Sequence, residues 1–114
     1  MEKFLDDICE VILNKKGFDV KVLNVHDVTS IANYFILCSA VNTKQAQSIA
    51  DEVEDKIEED NVSIIRKEGY REGRWILIDT GDILVHIFVK DERQHYDLDR
   101  LWDDAPVIYE NAGK

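Results

Sequence analysis

The segment from Arg74 to Val89 constrains the fold more than any other part of the chain. It reads R-W-I-L-I-D-T-G-D-I-L-V-H-I-F-V, which is two apolar runs on either side of a Thr80-Gly81 break. Apolar runs of this length, rich in β-branched residues and interrupted by a glycine-containing break, are typical of a β-hairpin. The sequence therefore predicts two antiparallel strands at the centre of the fold.

The length of the hairpin loop decides which residues face each other. A two-residue loop at Thr80-Gly81 gives three predicted pairs: Asp79 with Asp82, Leu77 with Leu84, and Trp75 with His86. Because successive side chains of a strand point to opposite faces, one face is wholly aliphatic: Ile76, Ile78, Ile83, Val85, Ile87 and Val89. The other face mixes rings, a histidine and carboxylates: Trp75, Leu77, Asp79, Asp82, Leu84, His86 and Phe88. We expect the aliphatic face to pack against helices and the mixed face to carry function.

The remaining elements follow from the spacing of the apolar residues. Helical spacing predicts an N-terminal helix over 3–15 and a second helix, capped by Asn42, whose apolar stripe ends at Ile57. Strand patterns cover 18–25, 34–40 and 62–66, with a polar connector over 26–33. After the hairpin comes a polar segment and then a short helical turn that Asp97 can cap and Pro106 ends. Residues 107–114 have no pattern and are expected to form a loose tail.

This order of elements predicts one α/β domain that spans residues 1–114. Helices and strands alternate along a short chain, so a mixed sheet of about five strands with packed helices is the expected architecture. The strand–helix–strand unit over 34–66 should be a right-handed parallel crossover.

Composition and charge narrow the classes of function. The chain has 114 residues, of which 45% are apolar, and its longest apolar run is far too short to span a membrane. The first ten residues carry acids within their apolar pattern, which is unlike a secretory or organellar signal, so we expect a cytoplasmic protein. Cys9 and Cys38 lie in apolar patterns and are expected to be buried thiols.

The formal net charge is −10, and the segment 51–60 holds seven acidic residues against one Lys. Such a surface repels phosphate backbones, because nucleic-acid affinity comes largely from Lys and Arg. Direct binding of nucleic acid is therefore not expected. The charge favours either plain solubility or attraction to a basic partner.

Three side-chain patterns could carry chemistry. Asp79 and Asp82 could be paired carboxylates for a metal-dependent transferase, although Asp is also common at hairpin ends. Ser39 follows a strand and precedes a helix, but it lacks the flanking glycines of a nucleophile elbow. The three histidines are scattered in a way that does not suit zinc. The sequence predicts no metal and no cofactor.

Aromatic residues on the mixed face are the stronger signal of function. Trp75 shares this face with His86 and Phe88, and a further cluster contains Tyr96 and Trp102. Aromatic anchors ringed by polar groups mark protein interfaces. The same residues could instead fill a second layer of the core, and the pattern alone leaves both alternatives open.

Four segments of the chain are similar to the ribosomal silencing factor family, also called Iojap-like. They are D-V-T-S-I-A-N-Y-F-I-L-C-S-A at 27–40, the helix over 45–57, E-G-Y-R-E-G-R-W-I-L-I-D-T-G-D-I-L-V-H-I-F at 68–88, and Y-D-L-D-R-L-W-D-D-A-P at 96–106. The resemblance implies a sheet like that of nucleotidyltransferases. It also implies a non-catalytic factor that binds the basic ribosomal protein L fourteen on the large subunit, blocks joining of the small subunit and lowers translation under nutrient limitation. Homodimers are known in this family.

The chain departs from the family at Ser39-Ala40, where the family often has Ser-Gly. A nucleotidyltransferase would need a Gly-Ser loop followed by a closely spaced acidic pair, which this chain does not supply. We therefore expect a partner-binding surface rather than a catalytic site, formed by Trp75, Asp79, Asp82, His86, Tyr96 and Trp102. The alternative is a nucleotidyltransferase-like enzyme that uses Asp79 and Asp82.

Overall fold

Residues 2–113 are described by a computed structural model. Within this range the helices are α1 (Lys3–Asn14), α2 (Thr43–Glu59), α3 (Lys90–Tyr96) and α4 (Leu98–Leu101). The strands are β1 (Phe18–Asn24), β2 (Tyr34–Ala40), β3 (Arg66–Glu68), β4 (Trp75–Asp79), β5 (Ile83–Val89) and β6 (Val107–Asn111). No helix within residues 2–113 is long and apolar enough to cross a membrane.

The strands form one mixed sheet in the order β3-β4-β5-β2-β1-β6. Only β2 and β5 pair in parallel, and the other neighbours are antiparallel. The α/β class and the antiparallel hairpin are therefore confirmed. The pairings also make β3 run parallel to β2, as expected of a crossover through α2. The sheet has six strands rather than about five.

The sixth strand corrects the expectation of a loose tail over 107–114. β6 pairs with β1, and Tyr109 lies opposite Val22. Four of its five side chains are exposed. The strand is held mainly by backbone hydrogen bonds, so it carries no alternation of apolar and polar residues. The expected strand over 62–66 is likewise displaced, since β3 occupies Arg66–Glu68 with all three side chains exposed.

The hairpin register differs from the predicted one by two residues. Asp79 lies opposite Leu84 and Trp75 lies opposite Phe88. The turn is wider because the amide of Ile83 donates to Thr80 Oγ1 at 3.2 Å and the amide of Thr80 donates to the carbonyl of Ile83 at 3.0 Å. A shift of two residues leaves every side chain on its original face. The predicted division into two faces is therefore retained.

The aliphatic face packs against α1 and α2, as expected. Their buried residues join those of the sheet in one core: Leu5, Ile8, Cys9 and Ile12 of α1, Ala46, Ile49, Ala50, Val53 and Ile57 of α2, and Ile76, Ile78, Val85 and Ile87 of the hairpin. The cap of α2 is as predicted, because the amide of Gln45 donates to Asn42 Oδ1 at 2.8 Å. Burial raises the pKa of both thiols, Cys9 and Cys38, to about 12.

The mixed face is covered by the shorter helices α3 and α4. A second apolar cluster lies there and includes Phe35, Leu37, Phe88, Leu98 and Ala105. The segment expected to be merely polar forms α3, in which no residue is buried as a whole. Asp97 lies at the corner between the two helices in the left-handed region, with φ of 52°. Its side chain makes no capping bond, so the predicted side-chain cap is wrong.

Candidate protein-binding surface

Four of the six predicted site residues come together on the mixed face. The rings of Trp75 and Tyr96 lie 4.6 Å apart, centroid to centroid, which joins β4 to α3. Trp75 also stacks on Phe88 of β5 at 5.0 Å. Trp102 packs edge-on against Phe35 at 5.0 Å. Such ring pairs stabilise a fold beyond the area that they bury.

His86 lies at the centre of this cluster, beneath the surface. Its ring is 5.0 Å from that of Phe35, and only 6% of the residue is exposed. The indole Nε1 of Trp75 donates to His86 Nδ1 at 3.1 Å. A neutral imidazole that accepts at Nδ1 carries its proton on Nε2. Nε2 has no hydrogen-bond partner among the described residues.

Burial also fixes the charge of this imidazole. Desolvation lowers the pKa of His86 to about 4, so the ring is neutral near pH 7. The residue was predicted as part of the binding surface. In the structure it instead supports Trp75 from below.

The exposed half of the cluster is an apolar strip. Tyr96 is 47% exposed and Leu101 is 70% exposed, while Trp75, Leu77 and Trp102 are half-buried. We call these five residues the docking surface. The inner half of the aromatic cluster therefore fills a second core, as one of the two alternatives predicted, and the outer half remains open to solvent.

The two predicted hairpin acids lie apart from this strip, at the turn. Asp79 Oδ2 accepts from Arg66 Nε at 3.3 Å, and its Oδ1 accepts from the amide of Gly81 at 2.8 Å. Asp82 Oδ1 accepts from Asn33 Nδ2 at 2.5 Å. The two acids do not face each other across the strands, and each already has a partner within the chain. Their first role is therefore to stabilise the turn.

Two residues of the docking surface were not among the predicted site residues. Leu77 shares the face of Trp75, and strand alternation could have indicated it. Leu101 has helical spacing with Leu98 and Trp102, which by itself would place the three side chains on one side of the last helical turn. Instead Leu98 is buried and Leu101 is the more exposed residue, which only the packing of α4 reveals.

Comparisons with known proteins identify the family and agree with the fold. The model of a family described as "Ribosomal silencing factor during starvation" matches residues 1–114. The chain belongs to the ribosomal silencing factor family. The protein named Ribosomal silencing factor RsfS in Halalkalibacterium halodurans is 44% identical over 95 residues, which are 83% of this chain and 81% of that protein. Its namesake in Bacillus subtilis is 40% identical over 94 residues, which are 82% of this chain and 80% of that protein.

This silencing-factor chain also has the same fold as solved structures of similar proteins. A crystal structure of a protein from Chromobacterium violaceum superposes with a TM-score of 0.86 at 30% identity. The match covers 90% of this chain and 88% of the other. The relatives are named as silencing factors, which is a regulatory role. The family also explains why the four resembling segments occur in one chain, as expected from the sequence.

Proposed function

We propose that the protein binds the large ribosomal subunit through the basic ribosomal protein L fourteen and sterically blocks joining of the small subunit. Translation would then fall when nutrients are scarce. Membership of the silencing factor family supports a ribosomal target. The observation that carries the proposal is the half-covered aromatic face, which leaves Tyr96 about half exposed and Leu101 largely in solvent.

Apolar anchors supply the affinity in this proposal. Aromatic residues in well-packed surroundings dominate interface energetics, and truncating one typically costs about 2 kcal/mol or more of binding. Trp75 is held by its stacking and by its hydrogen bond to His86. Trp102 is held by Phe35. Because both rings are already fixed, little side-chain entropy is lost when a partner covers them.

Charge supplies the attraction to a basic partner. Asp103 and Asp104 follow Trp102 directly, and both are exposed. Asp82 is also exposed at the hairpin turn. These acids would form the polar rim on which Lys and Arg side chains of the partner settle. Asp79 contributes indirectly, by holding the turn in place.

The proposed activity is binding rather than catalysis. Asp79 and Asp82, the pair on which an enzyme would depend, are engaged by Arg66 and Asn33. Within residues 2–113 no group of three His, Cys, Asp or Glu side chains could hold a metal ion. A cytoplasmic location, where ribosomes are found, is part of the proposal. A homodimer stays a prediction, which a mass measurement in solution would test.

A subunit-joining assay tests the proposal. Purified large and small subunits are mixed with the protein, and the fraction of joined ribosomes is measured on a sucrose gradient. Wild type should reduce joining, and Leu101→Asp should restore it. Val41→Asp is the matched control, because Val41 is also exposed (56%) but lies in the short connection between β2 and α2, outside the docking surface. Equal blocking by wild type and by Leu101→Asp would contradict the assignment of this surface.

Two further measurements test the named partner, L fourteen, and the alternative of a nucleotidyltransferase-like enzyme. Isolated L fourteen should bind the protein in a salt-sensitive way, because exposed charge pairs are screened. Calorimetry with magnesium and a nucleotide should give no heat at millimolar ligand. Heat in that titration would favour the nucleotidyltransferase alternative.

A further inference from the structure

Arg93 is the charged side chain that the proposed surface leaves unexplained. Its side chain is only 11% exposed, although it belongs to a helix, α3, that buries no whole residue. A guanidinium in such a position must be paired and hydrogen-bonded, because an unpaired buried charge is costly.

The guanidinium of Arg93 joins three parts of the fold. Its Nε and Nη2 donate to the two carboxylate oxygens of Asp99 on α4, at 3.1 and 2.9 Å. Its Nη1 donates to Ser39 Oγ of β2 at 3.0 Å and to the carbonyl of Asp19 in β1 at 2.5 Å. Lys21 Nζ lies 3.0 Å from Asp99 Oδ2 as well. One side chain therefore connects α3 and α4 to the two strands beneath them.

The network of Arg93 and Lys21 changes the pKa of Asp99. Burial by itself would raise the pKa of this carboxyl, but the hydrogen bonds and charges of Arg93 and Lys21 lower it to about 2. The carboxylate is thus ionised throughout the physiological range. The two parallel hydrogen bonds from Arg93 to Asp99 also fix the orientation of the two side chains relative to each other, which a single point charge does not do.

The apolar attachment of these helices is small by comparison. α3 buries no residue and α4 buries only Leu98. Yet α3 carries Tyr96, α4 ends at Leu101, and Trp102 follows directly. Arg93 and Tyr96 are three residues apart on one helix, so they lie on the same side of it. The orientation of three of the five docking residues therefore depends on the Arg93 network.

We propose that Arg93 is the positioning residue of the docking surface: through Asp99, Ser39 and the Asp19 carbonyl it fixes α3 and α4 on the sheet, so that Tyr96, Leu101 and Trp102 form one surface with Trp75. This inference rests on the proposed function. Arg93 itself touches no partner. It acts by holding the anchors in a single arrangement before binding.

The test compares variants of the full chain in binding to purified large subunits. Arg93→Gln should weaken binding about 30-fold, as expected for the misplacement of one anchor. Arg93→Lys should recover part of the loss, because Lys keeps the charge but not the two parallel hydrogen bonds. Arg71→Gln is the matched control, since Arg71 is exposed and the same substitution changes the charge equally. Wild-type affinity in Arg93→Gln would overturn the proposal.

A double-mutant cycle separates positioning from general destabilisation. Because Trp102 is one of the three anchors that Arg93 positions, Arg93→Gln should cost clearly less than about 30-fold when Trp102 is already Ala. Fully additive losses would contradict the proposal. Hydrogen exchange should also accelerate in the amides of 97–102 in Arg93→Gln, with β2 and β5 unchanged. Uniform acceleration across the sheet would indicate a purely structural role and would also overturn it.

Failure of this inference is distinguishable from failure of the proposed function. If wild type does not bind large subunits at all, the proposed function is wrong, and the exchange measurement alone then decides whether Arg93 fixes α3 and α4. If wild type binds, Trp102→Ala loses binding and Arg93→Gln does not, the surface stands and the positioning role is wrong.

Discussion

The two faces of the central hairpin differ in how completely they are covered. On one face α1 and α2, with 12 and 17 residues, seal the aliphatic side chains so that Ile76, Ile78 and Ile87 have no exposed surface. On the other face α3 and α4, with 7 and 4 residues, cover Phe88 and His86 but leave Trp75 and Leu77 half-open. The hairpin is thus sealed on one side and left partly open on the other, where we propose that the partner binds.

This difference in coverage bears on the proposed binding role of the second face. The aromatic rings of the second face are buried far enough to be fixed, yet they keep enough exposed area to bind a partner. A fully exposed ring would lose more conformational freedom on binding, and a fully buried ring could not make contact. The following substitutions test this contrast, beginning with the largest expected effect.

Ile78 and Leu77 are consecutive residues of β4 on opposite faces. Ile78→Ala should lower the free energy of unfolding by about 2–5 kcal/mol, because it leaves a cavity in the sealed core. Leu77→Ala should cost clearly less, because the site is already half-open. Denaturant titration of both variants measures the difference. Equal losses would mean that the second face is as tightly packed as the first.

His86 gives the second face a pH dependence that the aliphatic face lacks. Its folded pKa, about 4, lies below its usual value of 6.5, so the unfolded state binds more protons between these pH values. The stability that its burial as a neutral ring contributes is therefore full above pH 6.5 and is lost as the pH falls to about 4. The total is roughly 3 kcal/mol.

Unfolding free energies measured from pH 7 to pH 4 test this dependence. His86→Phe should lose the component that wild type shows, and the control His95→Gln, at an exposed position, should retain it. If wild type and His86→Phe lose stability equally on acidification, the imidazole is not buried in the neutral form.

Leu77→Ala should have a second effect, on binding. Because Leu77 lies beside Trp75 on the docking surface, its truncation should weaken binding to large subunits by about tenfold, or roughly 1.4 kcal/mol. Ile65→Ala serves as the control, since Ile65 is 66% exposed but lies outside the docking surface. The affinities of Leu77→Ala and Ile65→Ala for immobilised large subunits are measured in the same binding assay. The prediction is contradicted if the control loses as much as Leu77→Ala.

The rim acids should have the smallest effect. Asp103→Asn and Asp104→Asn together should lower affinity a few-fold, by about 1 kcal/mol or less, because exposed charge pairs contribute little. The loss should shrink when the salt concentration is raised. Affinities at two ionic strengths measure it. A loss that does not depend on salt would exclude a simple electrostatic role.

Strand alternation was sufficient to predict the two faces from sequence. The predicted hairpin register was wrong by two residues, but a shift of two residues leaves every side chain on the same face, so the two predicted faces were still correct. The turn itself depends on Asp79 and Thr80 hydrogen bonds, which no apolar pattern encodes. For the same reason, the sequence alone left Asp79 and Asp82 as a possible pair of carboxylates.

Elements without buried side chains were beyond such reasoning. β6 and α3 expose nearly all their residues, so they carry no periodic apolar signal. Arg93 in particular looked like part of a polar segment. Its partners, Asp19, Ser39 and Asp99, are far away in sequence or on another helix. Only the folded chain brings them together.

The most direct test is a hydrogen-exchange footprint of the protein bound to the large subunit. The partly covered aromatic face predicts slower exchange in 75–77 and 95–103, with no change along the acidic outer side of α2. Slower exchange confined to α2 or to the β6 edge, with 95–103 unaffected, would place the partner elsewhere and contradict the central claim.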